Sequence, residues 1–286
     1  MCARARSLEG VTMGDEPRPT HYRSVFLSDI HLGTRQCQAD LLLDFLRHTT
    51  CDHLFLVGDI VDGWRMKRGW FWPQSHNDVV QKLLRMARKG AAVTYIPGNH
   101  DDRVRDFCGV HFGGVLVARD AVHRTADGRR LLVVHGDEFD GVVRHAAWIA
   151  FAGDIAYRAI IRLNTVVNHL RRRFGFGYWS FSAFLKSRVG KAVRYIAAFE
   201  HALAAEARRR GLDGVVCGHI HHSAMREIDG VLYVNDGDWV ESCTALVEHA
   251  DGRLEIVCWA KLASRSTMAA KTGATLAPWR PEPVPA

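Results

Sequence analysis

Five short apolar runs, each broken off by a box of Asp, Asn or His, constrain the fold of this chain more than any other feature. The runs are Ser24 to Leu27, His53 to Val57, Ala91 to Ile96, Leu131 to Val134 and Gly214 to Cys217. Segments this short, rich in Val, Leu, Ile, Phe or Tyr and ended by Gly or Pro, read as buried strands rather than helices. The boxes that follow them are Ser28-Asp29-Ile30-His31, Gly58-Asp59-Ile60-Val61-Asp62, Gly98-Asn99-His100-Asp101, His135-Gly136-Asp137-Glu138 and Gly218-His219-Ile220-His221. In a largely parallel arrangement the carboxyl ends of the strands open on one edge, where ligands bind in open α/β sheets. Five boxes spread over about 190 residues are therefore expected to meet at one place.

The donors they would bring are two Asp, one Asn and four His: Asp29, His31, Asp59, Asn99, His135, His219 and His221. Imidazole and carboxylate without thiolate suit Mn, Fe or Zn better than copper(I) or an iron–sulfur cluster. Seven donors exceed one tetrahedral site, so two divalent metals sharing a carboxylate is the economical reading. Asp59 is the expected bridge, because its strand follows the first and neighbours it in most α/β orders. Two divalent ions, less the charges of Asp29, Asp59 and a bridging hydroxide, leave a positive site that favours phosphate. Metals about 3.5–4 Å apart hold such a hydroxide, because bound water drops to a pKa near 7, and clamp phosphoryl oxygens during in-line displacement. Hydrolysis of a phosphoester or phosphoanhydride is the chemistry implied.

His100 remains once the donors are assigned, and beside Asn99 it could donate a proton or hydrogen bond to the leaving oxygen. Asp62 is the natural carboxylate to fix its tautomer and raise its pKa. Asp101, Asp102, Asp137 and Glu138 read as supports or turn caps, and His222 as a neighbour rather than a ligand. Isolated Asp and His often do no more than cap strand exits and turns. That bland reading suits a single box, not five in order.

These boxes resemble the calcineurin-like metallophosphoesterases, whose pattern runs D-x-H, G-D-x-x-D, G-N-H-D/E, H and G-H-x-H; the likeness extends from about Ser24 to about Ala260. The resemblance implies a four-layer αββα sandwich of two mixed sheets with a two-metal site between the strand exits. It also implies that Asp29, His31, Asp59 and His221 hold one metal, and Asp59, Asn99, His135 and His219 the other. Within that family, Leu56 to Trp64, the helical insertion after the His135 box and Gly237-Asp238-Trp239 are similar to UDP-2,3-diacylglucosamine pyrophosphohydrolases of lipid A synthesis. That branch usually carries Arg where this chain has His100, and an acidic residue other than Asp at Asp62. The His100–Asp62 pair is that of the general phosphatase pattern.

Because the boxes interleave over nearly the whole length, one domain with an insertion is expected: residues 23–262, with a helical insertion at about 141–205. Residues 1–22 read as a disordered leader without an apolar secretory core, and 263–286 as a disordered tail. Seven cysteines with no C-x-x-C spacing read as free thiols of a reducing compartment, so the expected location is cytoplasmic. From Gly141 to Glu200 there are ten Lys or Arg against two acidic residues, a local excess of +8 where the whole chain nets +7. The basicity of the protein is thus local, and the same stretch is rich in aromatics.

Helical periodicity there joins Trp148, Phe151 and Ile155, and a second helix runs from about Ser180 into Leu203, with Arg171-Arg172-Arg173 at the turn between them. Arg144, Asp154, Arg158 and Arg162 interrupt every window of about eighteen apolar residues, which argues against a transmembrane helix. A basic amphipathic hairpin over the metals, resting on an anionic membrane at the inner face, suits a lipid-linked substrate. Arg171, Arg172, Arg173 and Trp179 are its candidate substrate contacts. Ordinary core helices are the plain alternative. The leading expectation is a hydrolase using two Mn2+, with Fe or Zn as substitutes, on a phosphorylated small molecule or glycolipid. A nuclease or cyclic-nucleotide phosphodiesterase, meeting nucleic-acid phosphates with the basic insertion, is the second reading. A non-catalytic scaffold is the third, although no ligand is missing.

Overall fold

The computed structural model describes residues 19–140 and 181–262, with side chains from residue 195 onward in the second stretch. One mixed sheet holds β1 (Thr20–Leu27), β2 (Thr49–Val57), β3 (Ala92–Ile96), β4 (His111–Phe112), β5 (Val115–Val117), β11 (Thr244–Glu248) and β12 (Leu254–Cys258). The other holds β6 (Ala121–Arg124), β7 (Arg130–Val133), β8 (Gly214–Cys217), β9 (Ala224–Ile228) and β10 (Val231–Asn235). Their orders are β12-β11-β1-β2-β3-β5-β4 and β6-β7-β8-β10-β9. The five expected runs are β1, β2, β3, β7 and β8. The first three pair in parallel as one block, the last two as another, so their carboxyl ends share an edge.

β1 begins at Thr20, inside the stretch expected to be a leader up to residue 22. Thr20, His21 and Tyr22 pair with Thr49, Thr50 and Cys51. Backbone pairing extends the strand past the point where its side chains stop being apolar.

Side-chain alternation sorts every central strand between two cores. Val25 and Leu27 of β1, Leu54 and Leu56 of β2, and Ala245 and Val247 of β11 face a cluster completed by two helices, α1 (Ala39–Arg47) and α3 (Gln74–Arg88). The short α2 (Gly63–Arg68) lies between them in sequence. The intervening Phe26, Phe55, Val57 and Leu246 face Leu131, Val133 and Val216 of the other sheet, with Phe26 stacked on Phe55 at 4.8 Å. Leu132, Val134, Val215 and Cys217 point the opposite way, onto a fourth helix, α4 (Phe181–Arg209). The three clusters are the three interfaces of a four-layer αββα sandwich.

The position of α4 alters the boundary expected for the insertion. Phe199, Leu203, Ala204 and Ala207 are all buried in the outer core of the second sheet. The last part of the expected insertion is therefore a layer of the sandwich, since an apolar helical stripe has the same period whether it covers a sheet or leaves the body. The helix also continues to Arg209, past Leu203. The first expected helix, with Trp148, Phe151 and Ile155, lies outside the described residues, as do the leader through residue 18 and the tail from 263. Among the described residues no helix is long and apolar enough to cross a membrane. Six cysteines are described and all are free.

At the strand ends remote from the boxes, Glu248 locks the sheets together. Its fully buried carboxylate accepts from Arg23 at 2.7 Å, Ser24 Oγ at 2.6 Å, the backbone N–H of Ala126 at 2.7 Å and His123 at 2.7 Å across the sandwich. Burial alone would raise its pKa, but His123, Ser24 and Ala126 outweigh burial and bring it down to about 2. A depressed carboxylate contributes stability above its unfolded pKa and loses it as pH falls through the folded value. Glu248→Gln is expected to be less stable to urea at neutral pH and to lose less stability between about pH 4.5 and 2 than the parent. Parallel acid profiles for the two proteins would remove Glu248 as the acid-sensitive lock.

Candidate metal centre

At the shared edge the exits of β1 and β2 remain paired: Asp29 N–H donates to Gly58 O at 3.0 Å and His31 N–H to Asp59 O at 2.8 Å. Asp29, His31, Asp59, His219 and His221 all adopt left-handed backbone, with φ between 49° and 72°. Non-glycine residues rarely do so. Five such turns in these boxes are strain concentrated at one site, and they fold successive side chains back toward one another.

Three donor groups result: Asp29, His31 and His221; His31, Asp59 and His100; and Asp59, His135 and His219. In the first, His221 Nε2 is 3.2 Å and His31 Nε2 3.9 Å from Asp29 Oδ1. Asp59 belongs to both others and divides its oxygens: Oδ2 lies 3.8 Å from His31 Nε2, and Oδ1 lies 3.5 Å from His135 Nε2. A carboxylate facing two imidazole sets with separate oxygens has the form of a bridge. Asp29 Oδ1, Asn99 Oδ1 and His135 Nε2 are buried without hydrogen-bond partners. Buried polar atoms are seldom left unpaired, and these three are lone-pair donors suited to a hard or borderline cation. The residues fit a pair of divalent cations.

Three of the four donor imidazoles are held through one ring nitrogen. His135 Nδ1 donates to Val57 O at 2.9 Å, leaving Nε2 bare toward Asp59. His31 Nδ1 lies 3.2 Å from Asp62 Oδ2, and His219 Nε2 lies 2.9 Å from Asp140 Oδ2. Such partners fix tautomer and ring orientation. Asp62 serves twice more. Its Oδ1 accepts from Arg65 N–H as the N-cap of α2 and sits 3.0 Å from His100 Nδ1. Trp64 packs over the His100 ring at 4.4 Å.

Burial would raise the pKa of Asp59, but His135 and His100 outweigh burial and hold it well below the usual range; Asp29 is lowered likewise, against burial, by His221. Burial pulls His135 down, yet Asp59 with Asp29 and Asp137 raises it to about 10. His100 is raised too, with burial overcome by Asp62, Asp59 and Asp101. The buried carboxylates thus favour positive charge on His135 and His100, which is the charge a cation would take over.

Close approach of the boxes depends on glycine. A Cβ at Gly98 would overlap Asp59 Oδ1, with the His135 ring 2.6 Å away, and at Gly58 (φ +78°) it would enter the His135 ring. Asp101, expected as a support, accepts from the N–H groups of Gly98 and Ile60 and from Tyr95, clamping the β2 and β3 exits together. Asp137 holds Arg105, and Glu138 reaches only a surface Arg119 at 3.9 Å. Asp140 was not singled out from the sequence, where it is one more acid after His135. Nor was Asp236, which takes the Ser28 hydroxyl at 2.6 Å beside Asp29; Asp238, quoted within the Gly237-Asp238-Trp239 stretch, caps the turn through Ser242. Arg171, Arg172, Arg173 and Trp179 lie outside the described residues.

Residues 22–223 match the family model of the calcineurin-like phosphoesterases. The chain belongs to that family, metal-dependent hydrolases of phosphoric esters and anhydrides. It is 27% identical over 260 residues to a UDP-2,3-diacylglucosamine hydrolase of Xanthomonas campestris, covering 80% of this chain and 96% of the relative. A UDP-2,3-diacylglucosamine hydrolase of Neisseria meningitidis is 23% identical over 238 residues, covering 75% and 88%. Among solved structures, Yfce, a phosphoesterase from E. coli, is 16% identical with a TM-score of 0.38, covering 82% of this chain and 98% of its own.

Gly98→Ala adds one methyl where Asp59 and His135 stand. The variant is expected to fold but to bind divalent metal at least about tenfold more weakly, in the range seen when the supports of ligands are lost. Titration with Mn2+ checks this, and unchanged affinity would show that the tight fit around Gly98 is not needed.

Proposed function

We propose that this chain hydrolyses a phosphoanhydride or phosphoester bond in a nucleotide- or lipid-linked substrate, with UDP-2,3-diacylglucosamine or a related compound as the first candidate. The observation that carries the chemistry is the division of Asp59 between two imidazole sets, beside unpartnered Asp29, Asn99 and His135 atoms. Asp29, His31, Asp59 and His221 would hold one cation, and Asp59, Asn99, His135 and His219 the other, with Mn2+ the first choice and Fe or Zn able to replace it. When bound, such a pair lowers the pKa of water to about 7 and offsets phosphoryl charge.

The remaining work falls to the chain itself. His100, raised in pKa and oriented by Asp62, carries a proton at Nε2, 3.9 Å from Asp59 Oδ2, and is placed to deliver it to the departing oxygen. Trp64 limits the ring's freedom and shields its face from water. The names of the relatives support the lipid-linked substrate. The basic, aromatic-rich composition of 141–200 supports a cytoplasmic protein that works at an anionic membrane face.

Two variants test this reading. Asp59→Asn is expected to abolish both Mn2+ uptake and release of UMP from UDP-2,3-diacylglucosamine; hydrolysis of bis-p-nitrophenyl phosphate or DNA by the parent, with none of the UDP-lipid, would overturn the substrate assignment. His100→Asn is expected to lower kcat by about 10²–10⁴-fold for an alkyl phosphate ester, and far less for a p-nitrophenyl ester whose leaving group needs no proton. Since His100 acts protonated, the parent's kcat should fall as pH rises through the pKa of His100, which the Asp62 carboxylate raises against burial. His100→Asn should lack that alkaline limb. Equal losses on both esters would exclude proton donation.

A further inference from the structure

α4 reaches the metal centre through two residues on one helical face. Phe199, fully buried, packs against the His219 ring at 5.8 Å and against Gly136. Four residues earlier, on the same face, Tyr195 donates its hydroxyl to Asp140 Oδ1 at 2.7 Å. The other oxygen of Asp140 takes the N–H of His219 Nε2 at 2.9 Å. With that proton fixed on Nε2, Nδ1 is the lone-pair nitrogen His219 has for the group it forms with Asp59 and His135. An imidazole turns about its Cβ–Cγ bond, and a carboxylate free to turn as well would not hold it. Tyr195 commits the second oxygen.

We propose that Tyr195 is a positioning residue for His219, acting through Asp140: its hydroxyl pins the carboxylate that selects the His219 tautomer and thereby sets the affinity of the Asp59, His135 and His219 group for a divalent cation. The inference rests on the two-cation reading above. A purely structural clasp between α4 and the turn at Asp140 would change stability alone. A positioning role changes metal affinity and the imidazole tautomer.

The test uses the full chain, Mn2+ titration followed by the electron paramagnetic signal of free ion, and long-range ¹H–¹⁵N spectra of His219 in the metal-free protein. The parent should bind two Mn2+ and show His219 as the single Nε2–H tautomer. Asp140→Asn is expected to weaken one of the two sites by about 10–100-fold, and Tyr195→Phe the same site by a smaller factor, about 3–10-fold, with a mixture of tautomers. Adding Tyr195→Phe to Asp140→Asn should change nothing further, as for residues acting in series. Tyr195→para-aminophenylalanine keeps a donor on the ring and should retain parental affinity; a loss equal to that of Tyr195→Phe would assign the effect to packing and overturn the proposal. Parental affinity and tautomer in Tyr195→Phe, or losses that add in full, would overturn it as well. A parent that takes up no Mn2+ would instead defeat the two-cation reading.

Discussion

Asp29, Asp59 and Asp62 are buried within reach of one another, and the rest of the structure is arranged around that concentration of charge. A buried carboxylate without a compensating partner costs several kcal/mol, and three together repel. The chain meets the cost by ringing them with imidazoles: His31 and His221 on Asp29, His31 and His135 on Asp59, His31 and His100 on Asp62. Such a cluster needs a rigid support, since charges free to separate would do so. Two sheets pinned face to face by Phe26, Phe55 and the opposing Leu131 and Val133, and tied at the far end by Glu248, supply it.

Much of this was legible in the sequence because burial on both faces leaves a continuous apolar run. β1, β2, β3, β7 and β8 are such strands, and the seven candidate donors stand at their exits. The outer antiparallel strands were harder to read. β9 carries exposed Arg226 and Glu227, and β4 is a two-residue edge, so neither makes an apolar run. The start of β1 was missed for a related reason: Thr20 to Tyr22 belong to the sheet by backbone pairing alone. α4 presented the opposite difficulty, a strong helical stripe that sequence cannot assign to a core or to a projection.

The supports of the site were less legible than its donors. Asp140 meets Tyr195 across 55 residues and His219 across 79, while Asp236 meets Ser28 across 208. No local spacing encodes such pairs. Asp62 was readable only in part. Its place after Asp59 suggested a partner for His100, but its contact with His31 needs the β1 exit to stay paired alongside the β2 exit, as the parallel bridge between Leu32 and Val61 shows it does. One carboxylate consequently lies against both a proposed metal donor and the group proposed to protonate the leaving oxygen, so the two proposed functions share a single geometric reference.

The two donor sets are not equivalent, and their difference follows from position in the sandwich. His135 is almost wholly enclosed, its side chain 1% exposed and its Nδ1 tied to a main-chain carbonyl of the neighbouring sheet, whereas His221 on the other side is 37% exposed. His31 and His219 are each backed by a carboxylate, which makes an imidazole a stronger donor than a carbonyl partner does. Among the described residues, each proposed side thus pairs one carboxylate-backed histidine with one for which no such partner is seen, while Asp59 is common to both. Solvent reaches the His221 side more readily than the His135 side. The enclosed set is braced by α4 through Phe199 and through the Tyr195 bond to Asp140, the open set by the paired β1 and β2 exits, by Asp62 on His31 and by the Trp239 N–H on Asp29 O.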